Sequence, residues 1–266
     1  MATHLAAHIF ADQARVALAN YLFSPDQLPR TFCDTWQLTC ELAQAAGNGQ
    51  HLGIAGDDLP ATNRFLSDTR YLVGAVAVPV HAPLFRWNET DGDKAAAEKA
   101  WQAQGGANLE SLLTGSAWKL LLPDAYHSAC RQADRQSRPY SLQASVAFLG
   151  STVALEPARI RAVIGACYDR DLEEYRVGLG PTSGEEIYHG IVWPLLGNED
   201  ENNDIVGEIE TLLREAGVTE ITILDHRLPM EFCDDCNAPM FPNTEGELVH
   251  AQMPESAHDS SPQLLH

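Results

Sequence analysis

The order of apolar segments between Ser141 and Asp225 is the feature that most restricts how this chain can fold. Turn residues divide the stretch into six segments, each with the composition of a strand or a helix. The predicted order is strand Ser141–Leu149, helix Pro157–Cys167, strand Glu173–Leu179, strand Glu186–Leu195, helix Asp204–Ala216 and strand Val218–Asp225. This β-α-β-β-α-β order is typical of the ferredoxin-like unit. The sequence therefore predicts an α+β or α/β fold that contains this unit in a mixed sheet.

Side-chain spacing within these segments favours the same interpretation. Apolar residues two positions apart share one face of a strand, whereas residues three or four apart share one face of a helix. The first predicted strand has the set Leu142, Ala144, Val146 and Phe148. The first predicted helix has the set Ile160, Val163, Ile164 and Cys167.

The region before Ser141 is predicted to begin with helices and to continue with alternating strands and helices. One helix is expected between Leu5 and Leu22, and a second is expected to follow a Thr31 cap and to end at Gly47. The later elements are strand Tyr71–Val80, helix Asp93–Gln104, strand Ala117–Leu122 and helix Asp124–Gln136.

The predicted organisation has five parts, which differ in composition. They are a helical N-terminal segment (1–60), a β-α-β-α region (61–140), the ferredoxin-like unit (141–228), a Cys-x-x-Cys knuckle with a hairpin (229–253) and a disordered tail (254–266). Apolar residues make up 45% of the 266 residues, which is enough to bury a substantial core.

The distribution of charge excludes one class of partner. The formal net charge is −20, and the residues from Glu199 onward contribute −14 of it, with 16 acidic residues against Arg214 and Arg227. A field of this sign repels phosphate backbones, so we expect no nucleic-acid binding. A minor alternative is an acidic inhibitor that mimics DNA. The acids cluster in loops and in the tail, which favours solubility over mimicry.

The N-terminal stretch predicts neither a signal peptide nor a membrane span. Asp12 and Arg15 interrupt its apolar pattern, and no basic leader precedes it. Six cysteines in a chain of this length do not form the pattern of a disulfide scaffold, so a cytoplasmic location is expected.

Cys233 and Cys236 form a Cys-x-x-Cys pair, which is half of a zinc-knuckle pattern. Two thiolates at this spacing can bind one side of a tetrahedral Zn²⁺, and a structural site needs two further ligands. His250 is the predicted third ligand, because a turn at Asn243 to Gly246 would return it on a strand. Candidates for the fourth are His226, His258, Asp235 or a residue of another subunit, which leaves a homo-oligomer open.

Two other interpretations of the cysteine pair also stay open. The thiols could be a reduced structural pair, or they could belong to a knuckle that has lost its metal. They could also be a redox pair, although redox pairs of the thioredoxin type lie at a helix N-terminus. Here two acidic residues separate the cysteines and prolines follow them, which disfavours both a helix and a low thiol pKa.

A second group of chemically capable residues lies on the helix predicted after Pro123. Asp124, His127, Cys130 and Asp134 would fall roughly on one side of that helix, where His and Cys could form a nucleophilic pair or bind a metal. The alternative is an exposed cap and a small buried thiol beside a close-packed alanine face. We favour this alternative and assign no catalytic residue.

The remaining searches for catalytic and phosphate-binding motifs are negative. The chain has no Gly-x-Ser-x-Gly, His-Glu-x-x-His or Walker-type motif. Gly178, Gly180 and Gly184 join two predicted strands, whereas a phosphate-binding glycine loop opens a helix. His189 lies within a predicted strand, where packing or a local hydrogen bond is expected.

Six runs of sequence, spread over most of the chain, resemble an uncharacterised bacterial family known only as a domain of unknown function. The runs are YLFSPDQLPRTFCDT (Tyr21–Thr35), FLSDTRYLVGAVAVP (Phe65–Pro79), LLLPDAYHSAC (Leu120–Cys130), LEEYRVGL (Leu172–Leu179), HGIVWPLLG (His189–Gly197) and FCDDCNAPMFPNTEGELVHAQMPE (Phe232–Glu255). The resemblance implies no activity, cofactor or site residue.

Two classes of function follow from these observations. The first is a non-catalytic cytoplasmic binding or regulatory protein, in which a metal at the knuckle supports the C-terminal hairpin. The second is an enzyme that uses the Asp124, His127 and Cys130 region or a metal at the knuckle. The first class is preferred because its requirements are met by residues already identified.

Overall fold

The structure is a computed structural model that describes residues 1–61, 68–110, 113, 118–197 and 199–254. The predicted disordered tail lies outside the described residues apart from Pro254. Two compact units are present: the first holds the described residues up to Cys130 except Asp68, and the second holds Asp68 and those from Arg131 onward. Of the helices within the described residues, none is both long enough and apolar enough to cross a bilayer.

The first unit combines a two-stranded antiparallel sheet with short helices. Its elements are α1 (Ala2–His8), β1 (Arg15–Phe23), α2 (Phe32–Gly47), β2 (Tyr71–Ala77), α3 (Lys94–Ala100), a π-helical turn (Trp101–Gly105) and α4 (Gly106–Glu110). α2 packs on β1 through Leu42 and Ala46. As predicted, the Thr31 hydroxyl caps α2, where it accepts a hydrogen bond from the backbone N–H of Asp34.

The single helix predicted between Leu5 and Leu22 is wrong. Only Ala2–His8 is helical, and the second half of that segment is β1, which pairs with β2. The alanines suggested a helix, but Val16, Tyr21 and Phe23 favour a strand, and pairing with β2 overrides the weak helical propensity.

The strand predicted at Ala117–Leu122 is also absent from the described residues 118–122. The backbone carbonyls of Leu120 and Leu121 accept hydrogen bonds from the side chains of Gln102 and Trp101. Because side chains of another segment bind these carbonyls, the segment is irregular despite its apolar composition.

The second unit is built on a four-stranded mixed sheet. Its elements are α5 (Tyr126–Val153, in this unit from Arg131 onward), β3 (Ile160–Tyr168), β4 (Leu172–Pro181), β5 (His189–Pro194), α6 (Ile205–Glu215), β6 (Glu220–Pro229), β7 (Phe241–Pro242) and β8 (Leu248–Val249). The sheet order is β5-β4-β3-β6, with β3 antiparallel to β4 and parallel to β6. α5 and α6 cover one face of the sheet, and the main core lies between them and the strands.

The strand predicted at Ser141–Leu149 is wrong, because this segment is the middle of α5. Leu142, Val146 and Leu149 are buried at a spacing of four and three residues, which is one face of a helix. A spacing of four also satisfies strand alternation, so the two patterns agree at Leu142 and Val146. α5 contains Pro139 and continues well beyond Gln136, where the helix was predicted to end.

The helix predicted at Pro157–Cys167 is wrong as well. Only Pro157–Arg159 forms a short 3-10 turn, and β3 follows at once. β3 pairs on both edges and is buried on both faces, so its apolar residues show no alternation. The first predicted strand is thus a helix and the first predicted helix is a strand. The observed order is α-β-β-β-α-β, and the ferredoxin-like unit is not confirmed.

The α+β class is confirmed, as are several individual elements. The structure has helices together with a mixed sheet, and β2, β4, β5 and β6 fall where strands were predicted. α2, α3 and α6 fall where helices were predicted. The Asp93 and Asp204 carboxylates cap α3 and α6.

The second face of the sheet is covered by the C-terminal segment, which approaches the strands very closely. Gly178 on β4 and Gly190 on β5 are opposite each other, and they face the backbone of Pro242 and the ring of Phe241. A Cβ atom at either glycine would overlap those neighbours. The glycines therefore let the β7–β8 hairpin lie directly on the sheet.

We expect Gly190→Ala to destabilise the second unit by about 1–3 kcal/mol, because the added methyl group displaces the Phe241 ring from a close-packed position. Thermal unfolding should show a lower Tm. Gly150→Ala is the control, because a Cβ there meets only ordinary contact and alanine favours α5. If Gly190→Ala had the same Tm as the wild-type protein, this would contradict the close packing of the Phe241 ring against β5.

A buried ion pair fixes the loop that follows β5. Both terminal nitrogens of Arg138 donate to the Glu199 carboxylate, at 2.6 and 3.0 Å, and one also donates to the Pro194 carbonyl at 3.1 Å. The Arg138 guanidinium also lies 4.9 Å from the centre of the Trp193 ring. These hydrogen bonds hold the pKa of Glu199 below its ordinary value of 4.5.

We expect Glu199→Gln to lower the free energy of unfolding by about 2 kcal/mol at pH 7, because one charge-assisted partner of Arg138 is lost. The folded pKa of Glu199 is lowered, so its contribution is complete above pH 4.5 and is lost as the pH falls through the folded value. Urea unfolding at several pH values checks this. The difference in the free energy of unfolding between Glu199→Gln and wild type should become smaller below about pH 4.5. Glu210→Gln, which breaks the more exposed pair with Arg214, should cost about 0.5 kcal/mol or less.

Candidate metal centre

The Cys-x-x-Cys segment forms a closed turn directly after β6. The backbone N–H of Cys233 donates to the carbonyl of Ala238, and the N–H of Asn237 donates to the carbonyl of Cys233, both at 2.8 Å. Asn237 has a φ of +57°, a left-handed conformation that asparagine tolerates better than most residues. This turn places both cysteine side chains on one loop, as a zinc knuckle requires.

A second turn brings His250 back to this loop. β7 and β8 pair in antiparallel fashion, and the Asn243 side chain accepts hydrogen bonds from the N–H groups of Glu245 and Glu247. Gly246 supplies the positive φ of 81° that the turn needs. His250 follows β8 directly, so the hairpin determines its position.

The ligand atoms of Cys233, Cys236 and His250 all lie within 4.8 Å of one another. The Cys236 Sγ and the His250 Nε2 are 3.2 Å apart. Donor atoms around a tetrahedral Zn²⁺ are roughly 3.5–3.8 Å apart, given the usual Zn–S and Zn–N bond lengths. The three side chains could therefore hold a metal ion with only small adjustments.

The turn also favours the thiolate form of Cys233. The backbone N–H groups of Cys236 and Asp235 donate to its sulfur and lower its pKa, as does the Cys236 side chain, whereas the Asp235 charge acts in the opposite direction. A thiolate is the form that binds a metal. The pair lies in a turn and not at the first turn of a helix, which is unlike the redox arrangement.

The proposed fourth ligands do not join this group within the described part of the chain. Neither Asp235 nor His226 belongs to the cluster of three. The His226 Nε2 instead lies 3.4 Å from the carbonyl of Gly246. His258 lies outside the described residues.

Arg176 on β4 supports the base of the knuckle, although its side chain is fully buried. One terminal nitrogen donates to the carbonyls of Glu231 and Met240, which lie on either side of the cysteine turn. Its Nε donates to the Glu174 carboxylate at 2.7 Å, and its guanidinium lies 4.9 Å from the centre of the Phe232 ring. Arg176 thus binds both the incoming and outgoing chain of the knuckle.

Arg176 was not among the residues predicted from the sequence. The available signal was a basic residue inside an otherwise apolar strand, two positions after Glu174 and therefore on the same face. A buried arginine needs several acceptors, and here most of them are backbone carbonyls of a distant segment. No side-chain pattern in the sequence reports which carbonyls these are.

The Asp124, His127 and Cys130 region forms no metal-binding group of three within the described residues. The Asp124 carboxylate accepts a hydrogen bond from the N–H of Ala125 just before α5. The His127 ring makes an edge contact with Tyr126, and Cys130 is half-buried. Asp134 lies further along α5, where burial raises its pKa.

His189 forms a hydrogen bond with a residue of α5 that is distant in sequence, whereas packing or a local hydrogen bond was predicted. Its Nε2 lies 3.1 Å from the Ser145 Oγ, and that hydroxyl donates its proton to the carbonyl of Ser141 at 2.8 Å. The serine oxygen therefore acts as the acceptor, so the pair does not have the arrangement of a nucleophile and its base. Burial lowers the pKa of His189, which keeps the ring neutral.

These features define an α+β protein with a Cys₂His group beside its sheet. Residues 1–264 match the family DUF2863, which is described as a protein of unknown function, and the chain belongs to that family. The match confirms the resemblance to a domain of unknown function. No curated protein and no solved structure matches the chain.

We expect Arg176→Met to loosen the knuckle, because the carbonyls of Glu231 and Met240 lose their shared donor and Glu174 loses its counter-ion. Breaking a buried pair typically costs about 3–5 kcal/mol. Alkylation of Cys233 and Cys236, followed by peptide mass spectrometry, should become faster than in wild type.

The control for this measurement is Arg214→Met, which removes an exposed arginine from α6. It should leave both alkylation rates unchanged. Equal rates in Arg176→Met and wild type would mean that Arg176 does not hold the knuckle in place.

Proposed function

We propose that Cys233, Cys236 and His250 bind one Zn²⁺ and that the ion has a structural role in a non-catalytic binding protein. The observation that supports this most directly is the convergence of three ligand atoms within 4.8 Å from two separate turns. The two cysteines come from the knuckle, whereas His250 comes from the end of the hairpin. An ion bound by all three would cross-link these segments.

The donor set favours zinc over other common metals. Thiolates are soft ligands, and imidazole is a borderline one, a combination that suits Zn²⁺ better than Mg²⁺ or Ca²⁺, which prefer oxygen ligands. Cys₂His sets with His or Cys as a fourth ligand are frequent in structural zinc sites.

A structural role fits the size of the hairpin. β7 and β8 contain only two residues each, and isolated hairpins are at best marginally stable in water. Phe241 and Pro242 are buried, whereas Leu248 and Val249 are only half-buried. The outgoing strand is therefore less buried than the incoming one, although the Gln252 N–H after it donates to the Ile187 carbonyl at 2.8 Å. The ion would add a further restraint at His250.

We prefer a binding role because the knuckle is the group of side chains whose geometry suits a specific chemistry. The acidic C-terminal region disfavours nucleic acid as a partner. Among the described residues, Asp124, His127 and Cys130 form no group of three that could hold a metal ion, so the knuckle is the better metal site. The most specific chemistry available to the described chain is therefore metal binding at the knuckle.

We expect protein purified without chelator to contain about one zinc ion per chain by elemental analysis. Chelation should lower the Tm by about 5–10 °C, because a ligand present at 100 times its Kd stabilises by about 2.7 kcal/mol. Cys233→Ser, Cys236→Ser and His250→Ala should each lower both the zinc content and the Tm.

Cys33→Ser and Cys40→Ser are matched controls, since both cysteines are exposed on α2. They should retain full zinc content and the Tm of wild type. Wild-type protein without zinc, together with a Tm that Cys233→Ser leaves unchanged, would refute the structural zinc site.

A further inference from the structure

We propose that the metal at the knuckle keeps its fourth coordination position open on the solvent side, and that this position accepts a neutral nitrogen donor of the imidazole class. This inference rests on the zinc site proposed above. It assigns to that site an exchangeable ligand in addition to a structural role.

The first argument is the number of ligands. Within the described chain the cluster contains three donor side chains, whereas Zn²⁺ is almost always bound by four ligands. A site with three protein ligands completes its coordination with water or with a ligand from outside, as in catalytic zinc sites.

The second argument is the direction in which the site is open. Cys236 is exposed, whereas Cys233 and His250 are half-buried. The His250 Nδ1 is fully buried, so the ring enters the site from the protein side. An isolated β-bridge between Phe232 and Pro239 closes the turn that holds both cysteines. Cys236 is the ligand most open to solvent, so the open position lies beside it.

The third argument concerns the charge of the incoming ligand. Two thiolates already neutralise the +2 charge of the ion. Asp234 and Asp235 lie between the ligands on the same turn, and both are exposed. An anionic ligand would be repelled by these two carboxylates, whereas a neutral imidazole carries no charge for them to repel. The site therefore favours an imidazole nitrogen over azide or a thiolate.

An imidazole could come from a free small molecule or from a histidine of a second copy of this chain, which has ten histidines. The same coordination chemistry applies to both. The two sources can be distinguished by dilution of the protein. Only a histidine of a second copy would make the coordination sphere of the metal depend on the protein concentration.

The test uses the full-length protein with Co²⁺ in place of Zn²⁺, because the d–d bands of Co²⁺ report its coordination sphere. Imidazole and azide are titrated separately at a fixed protein concentration. We expect a saturable change of the bands with imidazole, and azide should bind at least about fivefold more weakly. Asp235→Asn should strengthen azide binding about threefold, whereas Glu215→Gln on α6 should not alter it.

Each outcome of this test has a defined meaning. Bands that depend on protein concentration and respond to imidazole would assign the donor to a second copy and support the inference. One bound Co²⁺ whose bands respond to neither ligand would overturn the inference while leaving the zinc site intact. If imidazole changed the Co²⁺ bands in His258→Ala but not in the wild-type protein, the inference would also be overturned. The chain would then supply its own fourth ligand. Failure to bind any metal would overturn both proposals.

Discussion

The buried Arg176 guanidinium is the interaction on which the arrangement around the knuckle depends. A charge in the interior is tolerated only when its donors are satisfied, and Arg176 meets this requirement with Glu174 and with the carbonyls of Glu231 and Met240. Since those carbonyls lie on either side of the cysteine turn, the need to satisfy the arginine also determines where the turn lies. The position of Cys233 and Cys236 thus follows from a polar requirement inside the sheet.

The glycines of the sheet complete this arrangement. Gly178 and Gly190 have no side chains on the face of the sheet opposite the two helices. The chain after β6 can therefore lie flat against β4 and β5. Arg176 fixes the knuckle, and Phe241 and Pro242 fix the first strand of the hairpin. The returning strand β8 is only half-buried, and the chain after His250 is held by the hydrogen bond from the Gln252 N–H to the Ile187 carbonyl at 2.8 Å. A metal bound at His250 would add a second restraint beside that one.

The sequence predicts much of the second unit correctly. The prediction is wrong where the spacing of apolar residues fits both a helix and a strand, and where a strand shows no alternation of apolar and polar residues. Leu142 and Val146 are four residues apart, a spacing shared by strand and helix, so the middle of α5 resembles a strand. β3 is buried on both faces and carries no alternation, so Ile160, Val163 and Ile164 resemble a helix. The group of Cys233, Cys236 and His250 could be predicted from the sequence, because the spacing of the cysteines and the turn at Asn243 are local signals. The role of Arg176 could not be predicted, because its partners are backbone atoms that are distant in sequence.

The parallel pairing of β3 with β6 has a consequence for the order of assembly. β3, β4 and β5 can pair through short connections, whereas β6 reaches β3 only after α6 has crossed the sheet. Contacts between residues that are distant in the chain form late in folding, because closing the intervening loop is entropically costly. The knuckle and hairpin follow β6 and rest on strands that must already be in place. We therefore expect the apoprotein to complete its sheet first, so that an ion would enter a nearly finished protein and would close its last loop rather than nucleate its fold.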